Sequence, residues 1–404
     1  MTKKIPVQQL KPGMYIADLG AGWMDHPFLR NSFAVKDEAM VAKIVGTGIR
    51  EVYIDPARGL DVADAPTKIE VERQLEDEMQ RVAADRPASA RRVTAREELG
   101  RAKEVHSQAN AIIHDIMRDV RLGRQVGVER VEPVVTKMTE SILRNGGALL
   151  SLCRVKNKDD YTFQHSVSVC ALLVSFCRAV GMAPAEIQLA GIGGLLHDIG
   201  KVKVPGDILN SPKKLSDAEF SAMKRHVIES RSILEQTEGI TEASIQVAHQ
   251  HHERHDGTGY PRGLRGDEIS RLGQMAAICD VYDAITADRC YHKGLPPHEA
   301  LRKVFEWGKY HFNPALVHQF LRAIGIYPVG TLALLESGRI GVVVEQSEDN
   351  LLQPTLRVFY DSRNRQYLEP WELDLSKPLG QGGGDRIVSH ETPEKWGIDP
   401  GRFM

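Results

Sequence analysis

Changes in the spacing of apolar positions divide the chain into four stretches. Through residue 65, short β-like runs at 13–17 and 51–55 flank a stretch of helical period at 36–47, which predicts a small α+β module over 1–65. Residues 66–130 intersperse arginines and glutamates around a break at Pro87, the pattern of long exposed or partner-facing helices, and are expected to form a charged helical linker. Over 131–327 the period is helical nearly throughout, and the apolar runs at 166–180 and 274–287 are long enough to be buried helices, so the main helical domain is expected here. Within it, Pro212 and Ser216-Asp217-Ala218-Glu219 signal a loop and a capped start to a helix carrying His226. Gly257, Gly259 and Pro261 force a loop after His252. Runs at 330–335, 339–345 and 355–360 read as short strands and predict a small β-rich appendage over 328–404. The Gly382-Gly383-Gly384 run reads as a flexible turn, because neither a Lys-Ser/Thr pair nor a clear helix follows it. The fold class is therefore expected to be mainly α.

Composition narrows the function classes. With 42% hydrophobic and 26% charged residues the chain is not disordered in character, and 52 basic against 54 acidic residues give no global reason for nucleic-acid or membrane binding. Arg91 and Arg92 do not change this, since flanking acids largely neutralise them. The N-terminus lacks a signal-peptide core and no run reaches the length of a membrane span, so the expected location is cytoplasmic. Cys153, Cys170, Cys177, Cys279 and Cys290 form no C-x-x-C pair and mostly occupy apolar helical runs, as reduced core residues do.

Two clusters carry the chemistry: His197-Asp198-Ile199-Gly200-Lys201, and about 50 residues later His251-His252-Glu253 leading into Asp256-Gly257-Thr258-Gly259-Tyr260-Pro261. Adjacent side chains on a regular helix point about 100° apart, but at a helix end both can turn toward a metal pair, with Asp198 bridging through its two oxygens. His251 and His252, ending a helix that begins near Thr241, can each serve a different ion. A lone histidine is more often structural; an HD pair, an HH pair and a nearby lysine together favour a dinuclear site for phosphoester hydrolysis. Lys201 is a cation for a phosphate, against the plainer alternative of a surface salt bridge. His249 and His255 are left outside the ligand set.

These residues resemble the HD-GYP family of bacterial cyclic di-GMP phosphodiesterases, within the HD phosphohydrolase superfamily. The resemblance covers about 131–325 and extends through Asp160-Tyr161-Thr162-Phe163-Gln164-His165, Val204-Pro205-Gly206-Asp207-Ile208-Leu209, His226 and Asp280-Val281-Tyr282-Asp283-Ala284. The preceding segment is similar to a small domain of unassigned role that often precedes this catalytic domain. The resemblance implies a helical HD-type core and a ligand set of His165, His197, Asp198, His226, His251, His252 and Asp280. Family members holding three metals have a glutamate one helical turn before the first histidine. Tyr161 stands there and replaces it poorly, which predicts two divalent ions, iron or manganese rather than zinc.

The implied reaction is attack of a metal-bridging hydroxide on cyclic di-GMP to give linear pGpG, with onward cleavage to GMP less expected, and with Asp198 and Lys201 as catalytic residues. Arg289 matches the family's phosphate- and guanine-gripping arginine. His292 stands where lysine or arginine is usual, with Lys293 beside it, so either can make the second contact. Tyr260 either stacks or hydrogen-bonds near the entrance, or packs its own loop. Alternatives are a hydrolase of another cyclic nucleotide, or a scaffold that binds cyclic di-GMP or docks diguanylate cyclases through the Gly-Tyr-Pro loop. No DNA or RNA partner is expected, and the oligomeric state stays open.

Overall fold

The structure is a computed structural model. It describes all residues except 1, 21–27, 29–30, 85–92, 155–160, 212, 214, 289–293 and 348–349. Arg289, His292 and Lys293, together with Pro87, Arg91, Arg92, Asp160, Pro212 and Cys290, thus lie outside the described residues.

The chain divides into two compact units, Met1–Glu78 with Lys213–Phe220, and Met79–Pro212 with Ser221–Met404. The first unit is built on a four-stranded antiparallel sheet of order β1-β4-β2-β3, from β1 (Lys3–Pro6), β2 (Tyr15–Asp18), β3 (Phe33–Ala34) and β4 (Glu51–Ile54). Helix α1 (Glu38–Val45), capped by Asp37, adds Ile44 to a core of Ile5, Ile16, Val52 and Ile54. Helix α2 (Lys68–Ala84) follows.

The second unit is mainly helical. Helix α3 (Ala95–Arg121) starts at a Thr94–Glu97 capping box and, of the exposed or partner-facing alternatives, takes the partner-facing one. Its Ala102, Val105, Ala109, Ile113, Ile116 and Val120 are buried at 3–4-residue spacing and form one apolar stripe, while the charges occupy the remaining faces. Buried Glu98 accepts a bidentate pair of bonds from Arg144 at 2.8 and 2.9 Å, fixing α3 to α4 (Val128–Cys153). Helix α5 (Tyr161–Ala179) is buried on every side from His165 to Cys177 and packs against α4, against α6 (Pro184–Leu196) and against α11 (Arg271–Thr286). Between these come α7 (Gly206–Leu209), α8 (Asp217–Lys224, of which Asp217–Phe220 belongs to the first unit), α9 (His226–Glu235) and α10 (Glu242–Gln250); α12 (Pro297–Trp307) and α13 (Pro314–Ile324) close the helical part.

The Ser216–Glu219 box caps α8 as expected, but His226 is not on that helix. The chain breaks at Arg225 and His226 opens α9. The appendage is a five-stranded antiparallel sheet, β8-β7-β6-β5-β9, from β5 (Leu332–Leu335), β6 (Arg339–Glu345), β7 (Thr355–Asp361), β8 (Gln366–Asp374) and β9 (Ile387–Glu391), followed by α14 (Pro393–Trp396). Gly382–Gly384 lies in the turn between β8 and β9. Among the described residues no helix is long and apolar enough to cross a membrane. Cys153, Cys170, Cys177 and Cys279 are buried, and burial pushes the Cys177 thiol up to about 12.

Candidate metal centre

Helix ends deliver most of the centre. His197 is the C-cap of α6, and Asp198 opens the 3-10 turn Ile199–Lys203 behind it. His251 is the C-cap of α10 and His252 follows it; His165 lies one turn into α5 and Asp280 in α11. Two glycines let these ends meet. A Cβ on Gly193 would sit 2.7 Å from Val247 Cβ and 2.9 Å from Ser244 O, so α6 can lie directly on α10, which brings the His197 and His251 rings to 4.8 Å. At Gly200 a Cβ would fall 2.1 Å from His226 O; its N–H instead donates to Ser230 Oγ at 2.8 Å, seating the 3-10 turn on the start of α9.

Asp198 stands between two groups of imidazoles. Its Oδ1 lies 3.3 Å from His226 Nε2 and 3.8 Å from His251 Nε2, whereas its Oδ2 lies 3.2 Å from His197 Nε2 and 3.7 Å from His165 Nε2. Asp280 repeats the arrangement: Oδ1 is 2.9 Å from His165 Nε2, and Oδ2 is 3.6 Å from His252 Nδ1. Donor atoms within 4.8 Å of one another thus define one group of His226, His251 and His252, a second of His165, His197 and Asp280, and a joining group of His197, Asp198 and His251. All seven residues named from the sequence are brought together.

The electrostatics suit a cation. His197 Nε2, His226 Nε2, His251 Nε2 and Asp198 Oδ1 are buried without any hydrogen-bond partner, a costly state that a coordinated ion relieves. Burial holds His226 down at about 4 and His252 at about 3, and keeps His251 well below the usual imidazole value, so these imidazoles keep free lone pairs at neutral pH. Burial pushes the Asp198 carboxyl up, but the neighbouring His197 and Lys201 outweigh it and leave the group well below the usual carboxylate range. Asp280 is held low in the same way by the His165 hydrogen bond and by His252. Burial opposes protonation of His197, yet Asp198 and Asp280 beside it raise its pKa overall. Neutral imidazoles with shared carboxylates are a donor set that fits divalent first-row metals.

Lys201 Nζ is 2.5 Å from Asp198 Oδ2 and keeps 19% of its side chain exposed, so its charge stands where the centre meets solvent. The Tyr260 ring lies 4.7 Å from that of His252, with Lys224 Nζ 5.6 Å over its face. Tyr161 stacks on His165 at 5.7 Å. His249 and His255 belong to none of the donor groups.

Two further residues went unassigned in the sequence reading. Glu253 is buried and accepts N–H bonds from Arg262 at 2.8 Å and Leu264 at 2.9 Å, folding the glycine-rich loop back on itself. Asp283, also buried, accepts from His165 Nδ1 at 2.6 Å. Position gave a signal for each: Glu253 directly follows the HH pair, and Asp283 lies nearly one helical turn beyond Asp280.

A family model described as an HD domain matches residues 153–316, and one described as a domain of unknown function (DUF3391) matches residues 2–131. The chain is 41% identical to cyclic di-GMP phosphodiesterase PA4108 of Pseudomonas aeruginosa over 98% of its own length and 94% of that protein. The chain belongs to the HD-GYP family. This HD-GYP protein is also 32% identical to 3'3'-cGAMP-specific phosphodiesterase 1 of Vibrio cholerae, over 48% of this chain and 42% of that one. Among solved structures it is similar to Bd1817, a HDG"Y"P protein from Bdellovibrio bacteriovorus, at 18% identity and a TM-score of 0.47, covering 79% of this chain and 98% of that chain.

Proposed function

We propose that this HD-GYP protein is a metal-dependent phosphodiesterase that hydrolyses cyclic di-GMP to linear pGpG. The observation that carries the reading is the convergence of three unpartnered imidazole nitrogens and one unpartnered carboxylate oxygen on a single buried point. The reading is supported further by the relative that shares 41% of its residues along nearly its whole length. His165, His197, Asp198, His226, His251, His252 and Asp280 would hold two divalent ions, iron or manganese. When bound, such a pair supplies an activated water and neutralises phosphodiester charge.

The chain's own groups do the rest. Asp198 and Asp280 fix the positions of the histidine donors on either side of them. Lys201 is paired with Asp198 and partly exposed, so an incoming phosphate can exchange the Lys201–Asp198 contact for a Lys201–phosphate contact and keep its charge balanced. Tyr260, beside His252, borders the substrate's path. Arg289, with His292 or Lys293, grips phosphate and guanine from outside the described residues. Tyr161 supplies no carboxylate for a third ion, which favours pGpG as the released product over GMP.

The test is incubation of anaerobically loaded protein, with Fe²⁺ or Mn²⁺, with cyclic di-GMP and chromatographic resolution of products. Conversion to pGpG is expected; no turnover with either metal refutes the proposal, and faster cleavage of 3'3'-cGAMP reassigns the substrate. Asp198→Ala separates catalysis from docking of diguanylate cyclases at the Gly-Tyr-Pro loop. Loss of metal and turnover together with the cellular phenotype supports catalysis, whereas a phenotype that survives supports scaffolding.

A further inference from the structure

Helix α8 ends at Lys224, two residues before His226 of the metal centre, and the chain fixes that end firmly. Met223 is buried and its carbonyl accepts Nδ1–H of His226 at 2.6 Å, while Arg225 N–H donates to Ala222 O at 3.2 Å. The backbone around Lys224 is therefore tied to a donor of the metal centre and to its own helix. Of the two cations that precede His226, Arg225 is turned outward, 73% exposed and 3.7 Å from Glu229, whereas half-buried Lys224 is turned to the glycine-rich loop. Its ammonium lies 5.6 Å from the centre of the Tyr260 ring, and that ring lies 4.7 Å from the ring of His252, so the charge stands no more than about 10 Å from the His252 ring.

The metal centre thus has two cations at its margin. Lys201 is 2.5 Å from Asp198, which lies between the two groups of imidazoles, and Lys224 stands beyond His252. The side chains of Lys201 and His252 keep 19% and 15% of their surface exposed, so a ligand reaches the centre from both margins. A cation over an aromatic face at a partly exposed site is held weakly. The three N–H donors of an ammonium on a flexible stem can turn from such a ring to a phosphate, which they bind more strongly.

We propose that Lys224 is a specificity-determining residue that contacts the phosphate of a cyclic dinucleotide that is not being cleaved. The inference rests on the proposed reaction and deepens it. In a cyclic dinucleotide a ribose on either side joins the two phosphates, so with one at the metal centre the other falls a sugar's width away. A cation fixed beyond His252 meets that second phosphate, while Lys201 meets the one under attack. Lys224 takes no part in bond breaking; it favours substrates carrying two phosphates over those carrying one.

The experiment compares kcat/KM for cyclic di-GMP with kcat/KM for bis(p-nitrophenyl) phosphate, a diester with one phosphate, in the Mn²⁺-loaded full chain. Lys224→Met keeps the stem and removes the charge. It is expected to lower the ratio of the two values about tenfold or more, chiefly through KM for the dinucleotide, and Lys224→Arg is expected to restore most of that loss. A purely structural lysine affects both substrates together, so an unmoved ratio overturns the inference, with or without a fall in Mn²⁺ affinity read by calorimetry. A double-mutant cycle with Tyr260→Leu separates direct contact from action through the ring. The effect of Lys224→Met is expected to persist in the Tyr260→Leu background, and its disappearance there overturns the phosphate contact. If circular dichroism shows that Lys224→Met does not fold, Lys224→Gln takes its place. Failure of the proposed reaction shows instead in the unaltered chain, as no turnover of cyclic di-GMP. Binding of the dinucleotide, read by calorimetry, then carries the same comparison: weakening of about tenfold by Lys224→Met supports the inference, and equal affinity, or no binding to the unaltered chain, overturns it.

Discussion

Glu253→Gln tests whether the metal centre depends on how the glycine-rich loop is folded. The native carboxylate is 2% exposed, and each oxygen accepts one backbone N–H, from Arg262 at 2.8 Å and Leu264 at 2.9 Å. Glutamine has nearly the same shape but one acceptor oxygen, and its amide nitrogen then faces an N–H as donor against donor. The change removes one charge-assisted hydrogen bond, worth about 1.5–3 kcal/mol, and leaves a buried donor unsatisfied, costing about 1–3 kcal/mol that overlaps with the first. A net loss of about 3 kcal/mol is expected, carried by a loop that holds Tyr260 against His252. Urea denaturation of the metal-free chain reads the stability, and calorimetric titration with Mn²⁺ reads the centre. Both are expected to weaken, with Glu253→Asp recovering little because its shorter side chain does not reach both N–H groups. Glu253→Gln that matches the unaltered protein in denaturation midpoint and Mn²⁺ affinity refutes the reasoning.

Three other outcomes follow from the geometry. Tyr161→Glu places a carboxylate beside His165 and is expected to raise metal content from two toward three ions per chain, read by elemental analysis of anaerobically purified protein; unchanged stoichiometry shows that Tyr161 does not set the count. Gly200→Ala forces a Cβ to within 2.1 Å of His226 O, so the 3-10 turn must lift from α9, and both Mn²⁺ affinity and thermal stability are expected to fall; an unperturbed variant contradicts this packing. His226 has a folded pKa of about 4 against the usual 6.5, so between these values the unfolded chain binds a proton that the folded chain refuses. Metal-free protein therefore loses stability as pH drops from about 6.5 to 4, by roughly 3 kcal/mol from this residue, while the low Asp198 and Asp280 act in the same sense at lower pH and the raised His197 opposes it. Equal urea midpoints in EDTA at pH 7.5 and pH 5 overturn that account.

The buried helices were legible because their apolar runs are too long for anything else, and the cap at Ser216 because its residue types have few other uses. The stripe on α3 was masked: Ala102, Val105, Ala109 and Ile113 are flanked by arginine, lysine, glutamate and histidine, so average composition reads as solvent-facing while the spacing reads as core. Strand β8 was hidden for a different reason. Its sequence Gln-Tyr-Leu-Glu-Pro-Trp-Glu-Leu-Asp holds a proline and three acids, tolerated because β8 is an edge strand whose pairing with β7 is supplied by the tertiary fold. Glu253 and Asp283 escaped notice because neither role is local in type: one carboxylate serves N–H groups nine and eleven residues onward, and the other serves a histidine 118 residues away.

The same physical device explains why the ligand pairs were readable and Asp283 was not. At the ends of α6, α8 and α10 the carbonyls of Gly194, Met223 and Ala248 have no N–H four residues on to accept from within the helix, and each instead accepts Nδ1–H of the histidine three residues later: His197 at 2.8 Å, His226 at 2.6 Å and His251 at 2.8 Å. One contact satisfies an orphaned carbonyl, fixes the tautomer and aims the Nε2 lone pair at the common centre. A histidine at a helix end therefore brings its own support, and an HD or HH pair there is informative by itself. His165 lies inside α5, where the carbonyl three residues before it, that of Thr162, already faces the helix ladder and the Ser166 hydroxyl. Its Nδ1 must be held from another helix, which is the work of Asp283. A mid-helix ligand histidine thus predicts a distant acceptor that linear spacing cannot name.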